Sequence, residues 1–364
     1  MIDMPSNPVF AITRDDPRAT ARICNWLIIV ALLVCAMVLI GGATRLTDSG
    51  LSITEWRPVT GALLPLSDEA WLKEFMLYQA IPEYQLVNQG MSIDEFKTSY
   101  IWEWAHRNFG RLIGMVVLLP MLYFGFAGKV RGPLAVRLAI IFFLGGLQAF
   151  AGWYMVASGI GPDSGVDVSQ YRLAIHLGLA FIILAAIVWT VLDLRPHQGE
   201  ERSGEAGARR GAAILLALIF LQVLAGALVA GLRAGLAYNT WPLMDGALIP
   251  DGLMAATPWY LNLFENALTV QFDHRMIAYV LLAAALIHVF RVSGEAPARR
   301  ARWIVYLLVA QIALGIFTLL ASVPISLGLA HQALAMVVFV VVIHHLHCAW
   351  RYGNRAGEPA PDSA

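Results

Sequence analysis

The chain has 364 residues, 59% of them hydrophobic and 14% charged, and its 25 basic and 25 acidic side chains leave no net charge. Soluble domains are roughly 45–50% apolar and about 25% charged, so this composition excludes an ordinary soluble protein. The neutral balance gives no basic surface for nucleic acid.

A membrane-spanning helix needs about 20 predominantly apolar residues. Eight stretches qualify: 22–42, 107–127, 135–157, 172–193, 211–231, 274–292, 302–322 and 329–350. Lipid offers backbone groups no partner, so each is expected as a helix. The first follows a mostly polar N-terminal segment and has the length of a transmembrane helix, not of a cleaved signal peptide. Two long loops, 43–106 and 232–273, are rich in Trp, Pro and Gly. The first contains an amphipathic segment, Asp68 to Gln79, expected either flat on the membrane surface or as a solvated loop helix. Cys24, Cys35 and Cys348 lie in or beside apolar segments with no CxxC spacing, which excludes a disulfide framework.

Eight spans put both termini on one side. Sixteen of the 25 Lys and Arg fall on that side, including Arg14, Arg202 and Arg355, although the opposite side owns the long loops. The bias places the termini in the cytoplasm, or in the equivalent mitochondrial matrix.

The two halves repeat. Trp56, Gly61, Ala62, Leu63 and Pro65 recur as Trp241, Gly246, Ala247, Leu248 and Pro250, at a constant offset of 185. The second span opens with His106-Arg107 and the sixth with His274-Arg275. The third carries Gln148 with Gly152, and the seventh Gln311 with Gly315. His176 and His331 sit near the outer ends of the fourth and eighth. Four spans per repeat preserve orientation. The expected fold is all-α and integral to the membrane: two tandem four-helix bundles, residues 1–200 and 201–364, related by a pseudo-twofold axis along the membrane normal.

His106, His176, His274 and His331 are expected at one depth in the outer leaflet. Within each half the two histidine-bearing helices run the same way and can face one another, so neutral imidazoles can grip one iron from both sides. Ionisable residues inside spans are expensive and tend to be functional. Two such pairs point to two hemes. Zinc fits less well, because no cysteine joins them and no third or fourth ligand stands nearby. His197, His288, His344, His345 and His347 are expected at the wet inner side. Heme propionates call for cations, and Arg45, Arg107, Arg111, Arg233 and Arg275 stand beside the histidines or at span ends on the outer side, where positive charge is disfavoured.

One difference separates the halves. Glu103 precedes His106 by three residues, while the second half reads Gln271-Phe272-Asp273-His274. On a helix Glu103 shares a face with His106, and Asp273 does not share one with His274. An acid beside one heme alone suggests that one site performs chemistry and the other handles electrons.

These residues resemble the heme A synthase family over essentially the whole chain. The similar stretches are GGATRLTDSGLSITEWRPVTGALLP (41–65), EWAHRNFGRLIG (103–114), RLAIHLGLA (172–180), FDHRMIAY (272–279) and GLAHQALA (328–335). The loops lack the cysteine pairs of the Gram-positive branch and are similar to the alphaproteobacterial and mitochondrial one, so no loop disulfide is expected in the mechanism. The resemblance implies oxidation of the C8 methyl of heme O to a formyl group by successive hydroxylations, giving heme A for cytochrome oxidase assembly. It implies that His106 and His176 hold the substrate heme O, that His274 and His331 hold a heme b cofactor, and that Glu103 is the critical acid, moving a proton or countering positive charge on the oxidised carbon.

The partners implied are heme O and the heme O synthase that delivers it, the bilayer of the bacterial inner membrane, and an electron acceptor of unidentified chemistry; a homo-oligomer stays open. The alternative is a di-heme b membrane electron-transfer protein without substrate conversion, against which stands the placing of all four histidines near one face. A farnesyltransferase would want an NDxxD-type acidic pair for magnesium diphosphate, and none is present.

Overall fold

The computed structural model describes residues 16–195 and 205–353. Arg14, His197, Arg202 and Arg355 lie outside the described residues. The helices in chain order are α1 Pro17–Leu46, α2 Asp68–Gln79, α3 Pro82–Leu86, α4 Ile93–Phe126, α5 Gly132–Val156, α6 Gln170–Leu194, α7 Glu205–Gly231, α8 Ala234–Ala237, α9 Asn262–Glu265, α10 Ala267–Arg291, α11 Glu295–Leu320 and α12 Ile325–Gly353. Eight of them (α1, α4, α5, α6, α7, α10, α11 and α12) are long and apolar enough to cross a membrane. The chain is a multi-pass integral membrane protein, and the described residues contain no strand.

Two of these helices begin well before the apolar stretches that announce them. Helix α4 starts at Ile93, not near His106, so His106 and Glu103 lie several turns inside it. Its start is set by a capping box: the Ser92 hydroxyl accepts from the Glu95 backbone N–H at 3.3 Å, and the Glu95 carboxylate accepts from the Ser92 N–H at 2.8 Å. Helix α10 starts at Ala267, where the Asn266 side chain accepts from the Leu268 N–H at 3.0 Å. His274 therefore stands two turns inside its helix. Apolar runs mark where a helix enters lipid, and caps mark where it begins.

The extra turns of α4 rest on a small core outside the bundle. Phe96 and Tyr100 pack with Phe75 and Tyr78 of α2 and with Leu51, Ile53 and Ile81. Helix α2 spans Asp68–Gln79, as its amphipathic pattern indicates, but its apolar side is turned into this core. Leu72 and Met76 remain exposed on its other side.

In the first half α1 packs on α4, α4 on α5, α5 on α6 and α6 on α1; in the second, α7, α10, α11 and α12 pack in the same cyclic order. Between the halves α6 meets α7, α1 meets α12, and α6 meets α12. Exchanging the halves maps this set of contacts onto itself. One apolar core runs through both halves, with Phe181 of α6 edge-on to Phe339 of α12 at 4.9 Å.

Two polar locks tie the halves together. On the long-loop side, Asp48 follows α1 and Arg233 follows α7, at equivalent positions and both at positive φ (50° and 52°). They pair with each other at 2.7 and 3.1 Å. Arg45 and Arg233 also share the carboxylate of Asp167, at 2.7 and 2.8 Å. Burial works against the charge on Asp167, but the hydrogen bond from Arg233 and the charge of Arg45 hold its carboxyl below the usual range. On the opposite side Asp193 of α6 receives Arg137 of α5 and binds His347 of α12 at 2.9 Å.

Three of the histidines expected in a wet setting depart from it. His288, His345 and His347 are all buried, and His288 and His345 approach to 2.8 Å between their Nε2 atoms. Their partners Asp193 and Arg300 come from other helices, which replaces water as the source of hydrogen bonds.

Candidate functional site

His106, His176, His274 and His331 each lie against the span that precedes their own, and three of the four share one setting. His176 on α6 faces α5, where the Gln148 Nε2 donates to the His176 carbonyl at 3.1 Å and lies 3.2 Å from its Nδ1. His331 on α12 faces α11, where Gln311 makes the same contacts at 3.0 and 3.3 Å. His274 on α10 faces α7, where Gln222 repeats them at 3.0 and 3.2 Å. The Oε1 atoms of all three glutamines are buried without a partner among the described residues.

One turn beyond each glutamine stands a glycine. A Cβ added at Gly152 would lie 2.8 Å from His176 Cε1, one at Gly315 2.8 Å from His331 Cε1, and one at Gly226 3.1 Å from His274 Cε1. At Gly152 and Gly315 the imidazole occupies space that a side chain would need, and at Gly226 the fit is tight. His106 has its glycine too, Gly41 of α1, at 3.5 Å, but no glutamine: four residues earlier stands Met37. Among the described residues His106 makes no hydrogen bond, although His176, His274 and His331 all do.

His106 and His176 lie on α4 and α6 of the first half, and His274 and His331 on α10 and α12 of the second. Each half thus carries two of the four histidines. Two imidazoles per half, glycines packed against three of the rings and glutamine amides with an unpartnered oxygen suit residues that would hold a heme in each half. Among the described residues no three His, Cys, Asp or Glu gather as a metal site of their own.

Glu103 is 2% exposed. Its Oε2 accepts from the Ser52 hydroxyl at 2.8 Å and the Ile53 N–H at 2.6 Å. Its Oε1 accepts from Arg107 Nε at 3.0 Å and Nη2 at 2.5 Å. The second half keeps the arginine side of this frame and reverses the other: the Gln271 Nε2 donates to the Ala234 and Tyr238 carbonyls at 2.8 and 3.1 Å, where the Glu103 Oε2 accepts from Ser52 and Ile53. Gln271 takes the place of Glu103, and its Oε1 accepts from Arg275 Nη2 at 2.8 Å, while Arg107 and Arg275 both reach the loop carbonyls at Ile53 and Tyr238.

The arginines therefore divide. Arg45 and Arg233 are engaged by Asp48 and Asp167, and Arg107 by Glu103. Arg111 donates to the Pro58 and Arg57 carbonyls and to Asn108, and meets no carboxylate among the described residues. Arg275 likewise has no carboxylate, and its Nε is buried without a partner among the described residues. Sequence reasoning placed Gln148 and Gln311 as repeat markers but missed that they touch histidines, and it missed Gln222 altogether. Their common signal is Gln followed four residues later by Gly, one span ahead of each histidine.

Residues 24–343 match the family model COX15-CtaA, described as cytochrome oxidase assembly protein. Curated relatives include "Heme A synthase" of Parvibaculum lavamentivorans, 54% identical over 337 residues, which cover 93% of this chain and 96% of that one. Another is "Heme A synthase" of Rhodopseudomonas palustris strain BisA53, 52% identical over 351 residues and 94% of its length. A third, from Sinorhizobium medicae, carries the same name and is 48% identical over 338 residues.

Proposed function

The chain belongs to the COX15-CtaA family of cytochrome oxidase assembly proteins, and on that premise we propose that it is a heme A synthase whose halves have different duties. The substrate is heme O, and the reaction oxidises its C8 methyl to the formyl group of heme A. The N-terminal half, residues 1–200, takes the substrate heme through His106 and His176. The C-terminal half, residues 201–364, keeps a resident heme b through His274 and His331. When bound, heme b supplies a one-electron acceptor.

The observation that carries this division is the exchange of Glu103 for Gln271 beside matching arginines. Both Glu103 oxygens already accept two hydrogen bonds each, which favours a fixed negative charge over a travelling proton. Held that way, the carboxylate would stabilise positive charge developing on the methyl carbon. Gln271 keeps the arginine contact, turns its other side to carbonyls and carries no charge, as suits a site with no bond to make. Arg111 in the first half and Arg275 in the second are the cations left to meet propionates, and Arg107 binds through Glu103. Arg45 and Arg233 hold the halves together beside that site.

Both termini lie in the cytoplasm and the protein sits in the bacterial inner membrane, with the four histidines toward the outer face and the halves related by an axis along the membrane normal. Heme O arrives from its synthase and electrons leave to a separate acceptor. Expression beside a heme O source tests the reading: heme A should accumulate, and a well-folded protein holding only heme b would make it a di-heme electron carrier instead.

A further inference from the structure

We propose that Gln148, Gln222 and Gln311 are positioning residues that fix three of the four ligand histidines, and that Met37 leaves His106 as the releasable ligand through which the substrate heme is exchanged. The inference rests on the assignment of His106 and His176 to the substrate heme.

The argument starts from a broken repeat. Three preceding spans present Gln and, four residues on, Gly to a histidine of the next span. The offset of 185 that aligns the two halves carries Met37 onto Gln222 and Gly41 onto Gly226. The first span therefore keeps the cradle and loses the amide. The Met37 methyl lies instead toward Gly110, one turn beyond His106, where a Cβ would meet it at 3.2 Å.

The amide matters because it limits how far the histidine can turn. In each of the three clamped sites the glutamine Nε2 donates to the histidine carbonyl at 3.0–3.1 Å and lies 3.2–3.4 Å from both ring nitrogens, so one amide holds the backbone and lies against the ring. Groups that orient a ligand imidazole tune its hold on a metal. A thioether has no N–H to donate and gives no such anchor. His106 can turn away from iron at little cost, while His176 stays in place. A resident cofactor wants both ligands fixed, and a substrate that must enter and leave wants one of them free. The chain has that distribution: two glutamines in the heme b half and one in the substrate half.

The test follows heme transfer from the purified, heme-loaded protein to apomyoglobin, together with the ferric spin state. Wild-type protein should lose heme from the N-terminal half faster than heme b. Met37→Gln should slow that loss by about 10- to 100-fold and reduce the high-spin fraction, leaving heme b unchanged. Gln222→Met should do the reverse to heme b, accelerating its loss by about the same factor and producing a high-spin signal. Unchanged rates and spectra in folded Met37→Gln would overturn the proposal. If that variant does not fold, unchanged rates and spectra in Gln222→Met overturn it alone. Separately, His106→Ala should deplete the N-terminal heme. If it does not, the ligand assignment beneath the proposal has failed, whatever the glutamine variants do.

Discussion

Glu103 and Gln271 stand at matching positions in the two halves. Each precedes a histidine by three residues and accepts from the arginine four residues on, Arg107 at 2.5 Å and Arg275 at 2.8 Å. Glu103 is an acid that also accepts from Ser52 and Ile53, and Gln271 is a neutral amide that donates to the Ala234 and Tyr238 carbonyls. The reading of unequal halves follows from that difference and leads to the outcomes below.

The glycine cradles should show a graded response. Alanine at Gly152 or Gly315 would put a methyl 2.8 Å from an imidazole carbon, at Gly226 3.1 Å, and at Gly41 3.5 Å. The first two must push the ring off its axis, at a strain of about 1–3 kcal/mol. Heme content of the purified variants should therefore fall most for Gly152→Ala and Gly315→Ala, less for Gly226→Ala, and least for Gly41→Ala. Equal losses at all four would remove the cradle argument.

His274→Ala should lower heme b while leaving the N-terminal half able to hold its heme, because Gln222 and Gly226, which pack against His274, both belong to α7 of the second half. Heme typing of the purified variant checks this. Heme b at the wild-type level would reverse the assignment of the halves.

Asp167 joins Arg45 and Arg233 and is shielded from water by them. Folding holds its carboxyl below the usual range, so its contribution is present above the unfolded pKa and is lost as pH falls through the lower folded value. Asp167→Asn should cost about 1–3 kcal/mol, discounted for the partial exposure of Arg233. It should also flatten the loss of thermal stability in acid, read by thermal unfolding in detergent from neutral pH down to about 3. An unaltered acid limb would show that Asp167 contributes nothing to it.

Glu83 has the opposite sign. It lies in the small outer core, where its Oε1 accepts from Tyr78 at 3.0 Å and Asn88 at 3.2 Å. Burial raises its carboxyl from 4.5 to about 7. The folded protein then keeps a proton that the unfolded chain releases, so stability falls as pH rises between those values and the penalty persists above them. Glu83→Gln should remove the slope, seen as hydrogen-exchange protection of α2 and the start of α4 that no longer weakens toward neutral pH. A slope that persists in the variant would assign it elsewhere.

Much of this was written in the residues. Apolar length gave the eight spans, the repeat set His106 and His176 in one half and His274 and His331 in the other, and the spacing of Asp68 to Gln79 gave that helix to the residue. Positions set by side-chain hydrogen bonds were less visible. The start of α4 depends on Ser92 and Glu95, polar residues that no apolar pattern reveals. The burial of His345 and His347 depends on Arg300 and Asp193, which are distant in sequence and meet them only when helices pack. The Gln–histidine contacts stayed hidden for the same reason: a repeat shows that Gln148 and Gln311 correspond, not which neighbouring helix they face.

The central claim is that the carboxylate of Glu103 makes the first half the reacting one. Chromatography of hemes extracted from Glu103→Gln protein, expressed beside a heme O source, tests it most directly. The expected result is heme b at the wild-type level with heme O left unconverted or stalled before the formyl stage. Normal heme A yield from that variant would contradict the account.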